Sequence, residues 1–393
     1  MKFLTNLFDA LQTELKHIFL DKSVLLVMFG GVLFYALLYP SPYEKNLSGE
    51  QRIAVVDLDN SALSRKLIRM ADATPKVAVK MFKPNLAAAQ PLLADGIVQG
   101  ILVIPHQFER NLYLGIPVQL AFAGDASYFL IYGDIVEGLL TTTTTLAVES
   151  QILMKIMTGE NPALIPGEIM AFNTHTQAVF NSSGGYLNYI VPAVFVLILH
   201  QTLLIAAATV TIKDRALRRS LLINPALGLA IFSRFSLFVM FYFILALLYF
   251  GFFFKFYGIP HSAEHLELII FTLLFLSTTT LFAICLGYLL PRPELITIIV
   301  LLSSLPLVFT AGFAWPTVNL PNWLDQITLL IPAKPAIQGF LKLNQMGTPL
   351  SNLVTEMSYL SGMFFAFLLI VTRLIYVSSK AAASFVNKHP SSN

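Results

Sequence analysis

The sequence predicts a membrane α-helical bundle of six transmembrane helices, with an inserted extracytoplasmic α/β domain and an N-terminal amphipathic interfacial helix. Three observations support this fold class. The 393 residues are 56% hydrophobic and 12% charged, with a mean hydropathy of +0.72, whereas soluble domains are about 45–50% apolar and about 25% charged. Apolar stretches of the roughly 20 residues needed to cross a bilayer recur along the chain. Residues 42–185 differ, because they are rich in charges, prolines and short β-patterned runs.

Residues 1–22 predict an amphipathic helix at the membrane interface. Apolar side chains recur there at helical spacing, and polar side chains occupy the opposite face. The apolar positions are Phe3, Leu4, Leu7, Phe8, Leu11, Leu15, Ile18 and Phe19. A cleaved signal peptide does not fit, because this long amphipathic stretch precedes the first apolar run and no A-x-A site follows that run. Residues 23–41 are therefore predicted to remain as the first transmembrane helix.

Five further transmembrane helices are predicted within 186–377, near 186–212, 227–254, 266–290, 295–315 and 357–377. The placement of basic residues orients them, because cytoplasmic loops carry an excess of lysine and arginine. With a cytoplasmic N-terminus, the cytoplasmic segments hold Lys2, Lys16, Lys22, Lys213, Arg215, Arg218, Arg219, Arg292, Lys380 and Lys388. The outer loops hold mainly Lys255, Lys334 and Lys342. This topology places 42–185 outside the cytoplasm, and both termini, including the tail 378–393, inside. It indicates a multi-pass membrane protein.

The inserted segment predicts a small sheet with crossover helices. Strand patterns occur at 52–59, 76–82, 98–105 and 117–124. Helical stretches at 61–72, 85–94 and 106–114 separate them, and this alternation favours an α/β fold. A long helix at about 127–157 contains the run Thr141–Thr145. Since threonine is a mediocre helix former, this helix is expected to need tertiary support.

Most catalytic motifs are absent from the sequence. It has no G-x-x-x-x-G-K-[ST] phosphate-binding loop and no G-x-S-x-G nucleophile elbow, so ATP hydrolysis is not expected on this chain. Cys285 is the only cysteine, which excludes an intramolecular disulfide and a paired-thiol metal site. No cofactor is expected on the chain, and no feature indicates nucleic acid binding.

One motif raises an enzymatic alternative. His261, Glu264 and His265 form H-x-x-E-H, the inverted zinc-protease pattern. A catalytic zinc also needs a third ligand and an open position for water, and these residues follow Pro260 in a short outer loop. We interpret them as the polar start of a helix. Metal analysis of purified protein would test the protease alternative.

Three other features of the bundle bear on function. His200 lies near the middle of the second transmembrane helix, where an ionisable side chain usually faces the bundle interior or a water-filled path. A neutral imidazole bonded to a neighbouring helix is the alternative. Arg234 and Arg373 lie near cytoplasmic helix ends, where snorkelling explains them.

Prolines and tryptophans at 314–345 predict a re-entrant outer segment of short helices, because proline prevents one continuous helix and tryptophan favours the interface. A plain outer loop is the alternative there.

Several stretches, taken in order, resemble the type 2 ABC exporter permeases, in the subgroup with a large extracytoplasmic domain after the first helix. They are ELKHIFLDKSVL, IAVVDLDNSALSRKLI, ILVIPHQFERNL and GFAWPTVNLPNWL, and the resemblance covers nearly the whole chain. It implies an amphipathic connecting helix and a cytoplasmic coupling segment at 213–225. It also implies a second permease copy or paralogue and a separate ABC-type ATPase that carries ATP and magnesium. The usual glycine and threonine of the coupling segment are Ala216 and Leu217 here.

The predicted function is therefore that of a permease subunit in the bacterial inner membrane. It belongs to an ATP-driven exporter that moves an amphipathic or hydrophobic compound, such as a drug or lipid, out of the cytoplasm or inner membrane. Partners expected besides the ATPase and the second permease are the lipid bilayer and a periplasmic adaptor. The predicted ATPase-coupling residues are Glu14, Asp21, Lys213, Asp214, Arg215 and Arg218. The predicted substrate-pathway residues are His200, Phe309, Phe313 and Trp315. The alternative is a membrane-tethered structural or secretion-accessory protein, whose outer domain binds partners without transport.

Overall fold

The computed structural model describes residues 2–43, 50–126, 129–161, 165, 179–181, 185–221 and 227–388. The chain forms two compact units. The first combines Met1–Asn46 with Ala178–Asn393, and the second is Leu47–Gln177.

The first unit is helical, and the prediction of six helices long and apolar enough to cross a membrane is confirmed for the described residues. Spans 1 to 6 are Lys22–Tyr43, Ile190–Ala216, Leu227–Tyr257, His265–Leu289, Pro293–Thr310 and Val354–Val377. The helices of spans 2 and 6 continue to Leu221 and Lys388. Spans 1 and 3 each contain a π-helical turn, at Leu26–Gly31 and Leu248–Phe253.

Span 2 is the central helix of this unit. It is the most buried of the six spans and packs against spans 3, 4 and 5. A close approach to span 4 occurs at Gly287, where an added Cβ would lie 2.5 Å from Cβ of Thr211. The two helices can approach this closely only because Gly287 has no side chain, as is common between membrane helices. Spans 1, 5 and 6 remain largely exposed within this single chain.

The segment between spans 5 and 6 contains short helices, as predicted. They are the 3₁₀ turn Thr317–Asn319 and two α-helices, Asn322–Leu329 and Ala333–Asn344. We label these two helices α6 and α7, because helices α1 to α5, described below, precede them in the chain. The ammonium of Lys334 is buried and lies 2.7 Å from the Asp325 carboxylate and 2.8 Å from the Thr328 hydroxyl. This pair joins α6 to α7.

The second unit is built on a four-stranded sheet in the order β2-β1-β3-β4. The strands are β1 Gln51–Asp57, β2 Val77–Phe82, β3 Gly100–Ile104 and β4 Ala121–Gly124. β1 pairs in parallel with β2 and β3, and β4 pairs antiparallel to β3. The predicted strands are all present, although β3 and β4 are shorter than their sequence patterns.

Helices cover both faces of the sheet, which explains why β1 is apolar on both faces. The helices are α2 Ala62–Asp72, α3 Leu86–Ala94, α4 Phe108–Tyr113 and α5 Phe129–Met157. Ile53 and Val55 face the larger core with α2, α4 and α5, whereas Ala54 and Val56 face a smaller core with α3. Asp59, just beyond β1, accepts hydrogen bonds of 3.0 Å from the backbone amides of Phe108 and Glu109 and so holds the start of α4.

Candidate functional site

The N-terminal helix α1, Lys2–Leu20, carries a charged residue on its buried face. Leu7 and Leu11 are partly buried, Ile18 is fully buried, and Glu14 lies in the same row with 1% of its surface exposed. Residues spaced three or four apart share one side of a helix. This side of α1 packs against span 3. A carboxylate buried in this way needs a partner, because burying an unpaired charge is very unfavourable.

Arg234 of span 3 is that partner, and it also contacts Asp214 of span 2. Its Nε and Nη2 donate to the two Glu14 carboxylate oxygens at 3.1 and 2.8 Å, and Nη2 lies 3.0 Å from Asp214 Oδ2. The Arg234 side chain is fully buried and Asp214 is nearly so. We call Glu14, Asp214 and Arg234 the junction cluster. With one arginine and two carboxylates, its formal charge is −1.

The interpretation of Arg234 as a snorkelling residue is wrong. A snorkelling arginine extends its guanidinium into water, whereas this guanidinium is completely buried between two carboxylates. Arg373, the other arginine interpreted in this way, is exposed.

A second ion pair lies on the exposed side of the same junction. Lys213 Nζ lies 2.5 Å from Asp21 Oδ2. Asp21 also caps the start of span 1, where it accepts hydrogen bonds from the backbone amides of Ser23 and Val24. Burial raises the pKa of the Asp21 carboxyl, but the hydrogen bonds from Lys213 and Ser23 outweigh it and leave the pKa below its usual value.

Arg215 turns toward span 4. Its guanidinium donates to the carbonyl of Tyr288 and, at 2.6 Å, to that of Leu290. The last carbonyls of a helix have no partner within the helix, and the negative end of the helix dipole favours a cation there. Asp214 and Arg215 therefore link the end of span 2 to α1, span 3 and span 4. The predicted segment 213–225 is helical to Leu221. The side chain of Arg218 and residues 222–226 lie outside what the structure describes.

Two neighbouring cavities open beside these ion pairs. One of about 400 Å³ is lined by α1, the start of span 1 and the end of span 2, including His17, Asp21, Lys213 and Asp214. The other, of about 230 Å³, extends from Ser23 and Lys213 to the start of span 5 at Pro293–Thr297. Asp214 therefore has the buried arginine on one side and an open cavity on the other.

The two carboxylates of the junction cluster lie close to a third possible metal ligand, His17. Ligand atoms of Glu14, His17 and Asp214 lie within 4.8 Å of one another, the spacing of a metal site. However, both carboxylates already bind Arg234, and a divalent cation would have to sit beside its guanidinium. The ion pairs account for this grouping.

The four predicted substrate-pathway residues do not share one environment. His200 is buried in span 2, its ring is stacked near Phe275 at 6.5 Å between centroids, and neither ring nitrogen has a hydrogen-bond partner. Phe313 is buried, whereas Phe309 and Trp315 are half exposed. None of the four lines the two cavities at the junction. Their assignment to a substrate pathway stays a prediction.

The H-x-x-E-H residues do not lie together on a helix. Span 4 begins at His265, with Glu264 as its N-cap and His261 in the preceding loop. In the described parts of the chain, the only group of three or more possible metal ligands is the one at Glu14. The structure therefore gives the zinc-protease alternative no support.

A model of one protein family, described as ABC-2 family transporter protein, matches residues 22–373. This match covers spans 1 to 5, most of span 6 and the sheet-containing unit. The chain belongs to the ABC-2 transporter family. It is therefore a multi-pass membrane permease of the kind that works with an ABC ATPase. No curated protein shows significant sequence similarity to it.

The sequence of this ABC-2 permease predicted a functional role for Glu14 and Asp214. It did not predict that Arg234 joins these two carboxylates. One signal could have indicated the pair. Glu14 lies between Leu11 and Ile18 on an otherwise apolar row of α1, and a carboxylate at such a position implies a buried cation nearby. The identity of that cation was not available from spacing, because Glu14 and Arg234 are 220 residues apart.

Proposed function

We propose that this chain is the membrane-spanning permease subunit of an ATP-driven exporter that moves an amphipathic or hydrophobic compound out of the cytoplasm or inner membrane. In this proposal both termini and the junction face the cytoplasm, and the sheet-containing unit lies outside. ATP and magnesium bind to a separate ABC ATPase. Two permease subunits, identical or paralogous, form the pathway, and the outer unit contacts an adaptor protein.

The observation that carries the proposal is the buried contact of α1 with the ends of two spans. Arg234 holds Glu14 of α1 and Asp214 of span 2 at hydrogen-bond distances, and Arg215 extends the connection to span 4. A rigid movement of α1 or of the 213–225 segment would therefore move spans 2, 3 and 4 together. Such a mechanical connection is what a permease needs when the energy source is on another subunit.

The exposed surface next to the junction supports the choice of docking site. Lys16, Lys22 and Lys213 are exposed there, with acidic Asp9 on the same helix as Lys16. Charged groups on an interface rim guide a partner into register, and charged pairs buried on docking add affinity. We therefore assign ATPase docking to α1 and 213–225.

Copurification tests docking. The tagged full-length chain, extracted from its native membrane, should bring down an ABC ATPase that is identified by mass spectrometry and by vanadate-sensitive ATP hydrolysis. Alanine at the exposed Lys16, Lys22 and Lys213 together should reduce this recovery at least thirtyfold, because truncating charges that docking buries costs roughly 2–5 kcal/mol. Alanine at the exposed Arg69 and Lys80 of the sheet-containing unit is the matched control and should change nothing.

A second variant separates docking from transmission. Glu14→Gln breaks the junction cluster but leaves residues 213–225 unchanged, so the ATPase should still copurify while export falls. If no ATPase is recovered with the wild-type chain, or if the triple variant binds and exports normally, the proposal fails. Recovery of envelope proteins without an ATPase would favour the secretion-accessory alternative.

A further inference from the structure

The sheet-containing unit has its own cavity of about 360 Å³, apart from the junction. Its floor is formed by Leu67 of α2, Phe108 of α4 and Leu146 of α5, which are all buried members of the larger core. The half-buried Val118 and Leu120, in the chain leading to β4, form part of its wall. The cavity is thus a gap in the hydrophobic core that reaches the surface.

The polar groups at this cavity are two threonines of the run in α5. Thr141, Thr142, Thr143 and Thr145 each donate to a backbone carbonyl of the preceding turn. Thr144 makes no such bond, is exposed, and lines the cavity. Among the described residues, the Thr144 hydroxyl therefore has no hydrogen-bond partner. It lies at the edge of a largely apolar pocket, next to Ala147 one turn further along α5.

The loop beside the cavity displays apolar side chains. Between Leu112 and Val118, which both line the cavity, Leu114 and Ile116 are 59% and 48% exposed. Gly115 has a φ of +69°, and the amides of Gly115 and Ile116 donate to the carbonyls of Leu112 and Asn111. This is a Schellman helix end, and it fixes the loop. Leu114 and Ile116 are therefore held outward.

We infer that this cavity is a binding site for the alkyl chain of an amphipathic molecule, with Thr144 hydrogen-bonded to the polar end of that molecule. Ligand pockets typically have volumes of about 300–1,000 Å³ and apolar walls with a few placed polar groups. Burying the apolar part of an amphipathic molecule against these walls is favourable. Leu114 and Ile116, which do not line the cavity, add exposed apolar surface to the loop beside it. The inference goes beyond the proposed function, since the cavity would bind an alkyl chain whether or not the protein transports one.

Photolabelling tests this site on the full-length protein in lipid nanodiscs. The first probe is a twelve-carbon alcohol that carries a diazirine. After irradiation, peptides from 106–120 and 140–150 should be labelled saturably, and excess 1-dodecanol should remove the label. A second probe, a phospholipid with a diazirine in its acyl chain, distinguishes the two sources of an alkyl chain. Labelling of these peptides by this probe identifies a membrane lipid as the ligand, whereas labelling by the alcohol alone identifies a free amphiphile.

Two substitutions on α5 form a matched pair. Ala147→Phe places a ring in the cavity and should reduce labelling of 106–120 and 140–150 at least tenfold. Thr145→Phe adds the same ring at an exposed residue that does not line the cavity, and should leave labelling unchanged. In both variants, peptides from the six spans should be labelled as strongly as in the wild type, which shows that the variants are folded.

Thr144→Val tests the hydroxyl without changing the size of the side chain. In the wild type, 1-dodecanol should compete at least fivefold better than dodecane, and this advantage should disappear in the variant. Labelling that does not saturate, that persists in Ala147→Phe, or that is confined to the spans in the wild type would overturn the inference.

Discussion

Replacing Arg234 by methionine removes the only cation of the junction cluster while it keeps a long, unbranched side chain. The carboxylates of Glu14 and Asp214 then stay buried, with 1% and 5% of their side chains exposed, and face each other without a counter-charge. Removing one partner of a buried ion pair typically costs about 3–5 kcal/mol. We expect a loss of that size in the free energy of unfolding, together with loss of export.

The matched control is Lys213→Met, which breaks the ion pair with Asp21 at the same junction. Lys213 and Asp21 are 47% and 16% exposed, and exposed pairs contribute only about 0.2–1 kcal/mol. The free energy of unfolding is measured for both variants by denaturant titration in mixed micelles. Equal losses for Arg234→Met and Lys213→Met would refute the argument, because the predicted difference rests on the complete burial of Arg234 between two carboxylates.

A third variant distinguishes loss of charge balance from loss of packing. Glu14→Gln, Asp214→Asn and Arg234→Met together remove every charge of the cluster, and neutral replacements of buried ion pairs are often as stable as the pairs themselves. Stability should therefore return toward that of the wild type. Export should not return, because the directed bonds that hold α1 to span 2 are still missing. A triple variant as unstable as Arg234→Met would show that lost packing of the Arg234 side chain, and not unbalanced charge, causes the loss in the free energy of unfolding.

Three further predictions concern topology, helix packing and pH. In a cysteine-free background on intact spheroplasts, a cysteine at Lys76 should react with an impermeant thiol reagent and one at Lys213 should not; the reverse pattern would invert the proposed topology. Gly287→Ala should destabilise the bundle by about 1–3 kcal/mol through overpacking, whereas Gly362→Ala, which has open space around its Cβ position, should be neutral in the same titration. For Asp59, burial raises the carboxyl pKa, but hydrogen bonds from Ser61 and the start of α4 leave it below its usual value. Its stabilisation of the second unit is therefore present at neutral pH and is lost as the pH falls through the lowered pKa. Hydrogen exchange should show that the backbone amides of residues 51–124 are less protected in Asp59→Asn than in the wild type at pH 7. Below the lowered pKa of Asp59, the two proteins should be equally protected.

The features that sequence predicted well are those that depend on local repetition. Hydropathy and alternation identified the six spans and all four strands, because a span needs about 20 consecutive apolar residues and β1 must be apolar on both faces when helices cover both. The predicted helical stretches 61–72 and 85–94 correspond to α2 and α3, which begin after the N-caps Ser61 and Asn85. These signals lie within a few residues of the element that they specify.

The features that sequence missed depend on residues far apart in the chain. Arg234 resembled a snorkelling residue because its position near a helix end was known and its partner in α1 was not. The cavity beside Thr144 depends on the volumes of side chains from α2, α4 and α5, and no spacing of residues encodes an unfilled volume. The run Thr141–Thr145 was predicted to need tertiary support. Buried Thr142 and neighbouring Leu139 and Leu146 of α5 supply it through the larger core.

The charge of the junction cluster bears on how such a joint can move. Two carboxylates and one guanidinium leave a formal charge of −1, which a fully enclosed site would not tolerate without a further partner. Asp214 also lines the 400 Å³ cavity, together with His17 and Lys213. The Asp214 carboxylate therefore borders an open space, while the two-bond contact between Glu14 and Arg234 is enclosed. Arg234 contacts carboxylates of both α1 and span 2, and Arg215 contacts the end of span 4. A push on residues 213–225 is therefore transmitted to spans 2, 3 and 4 together.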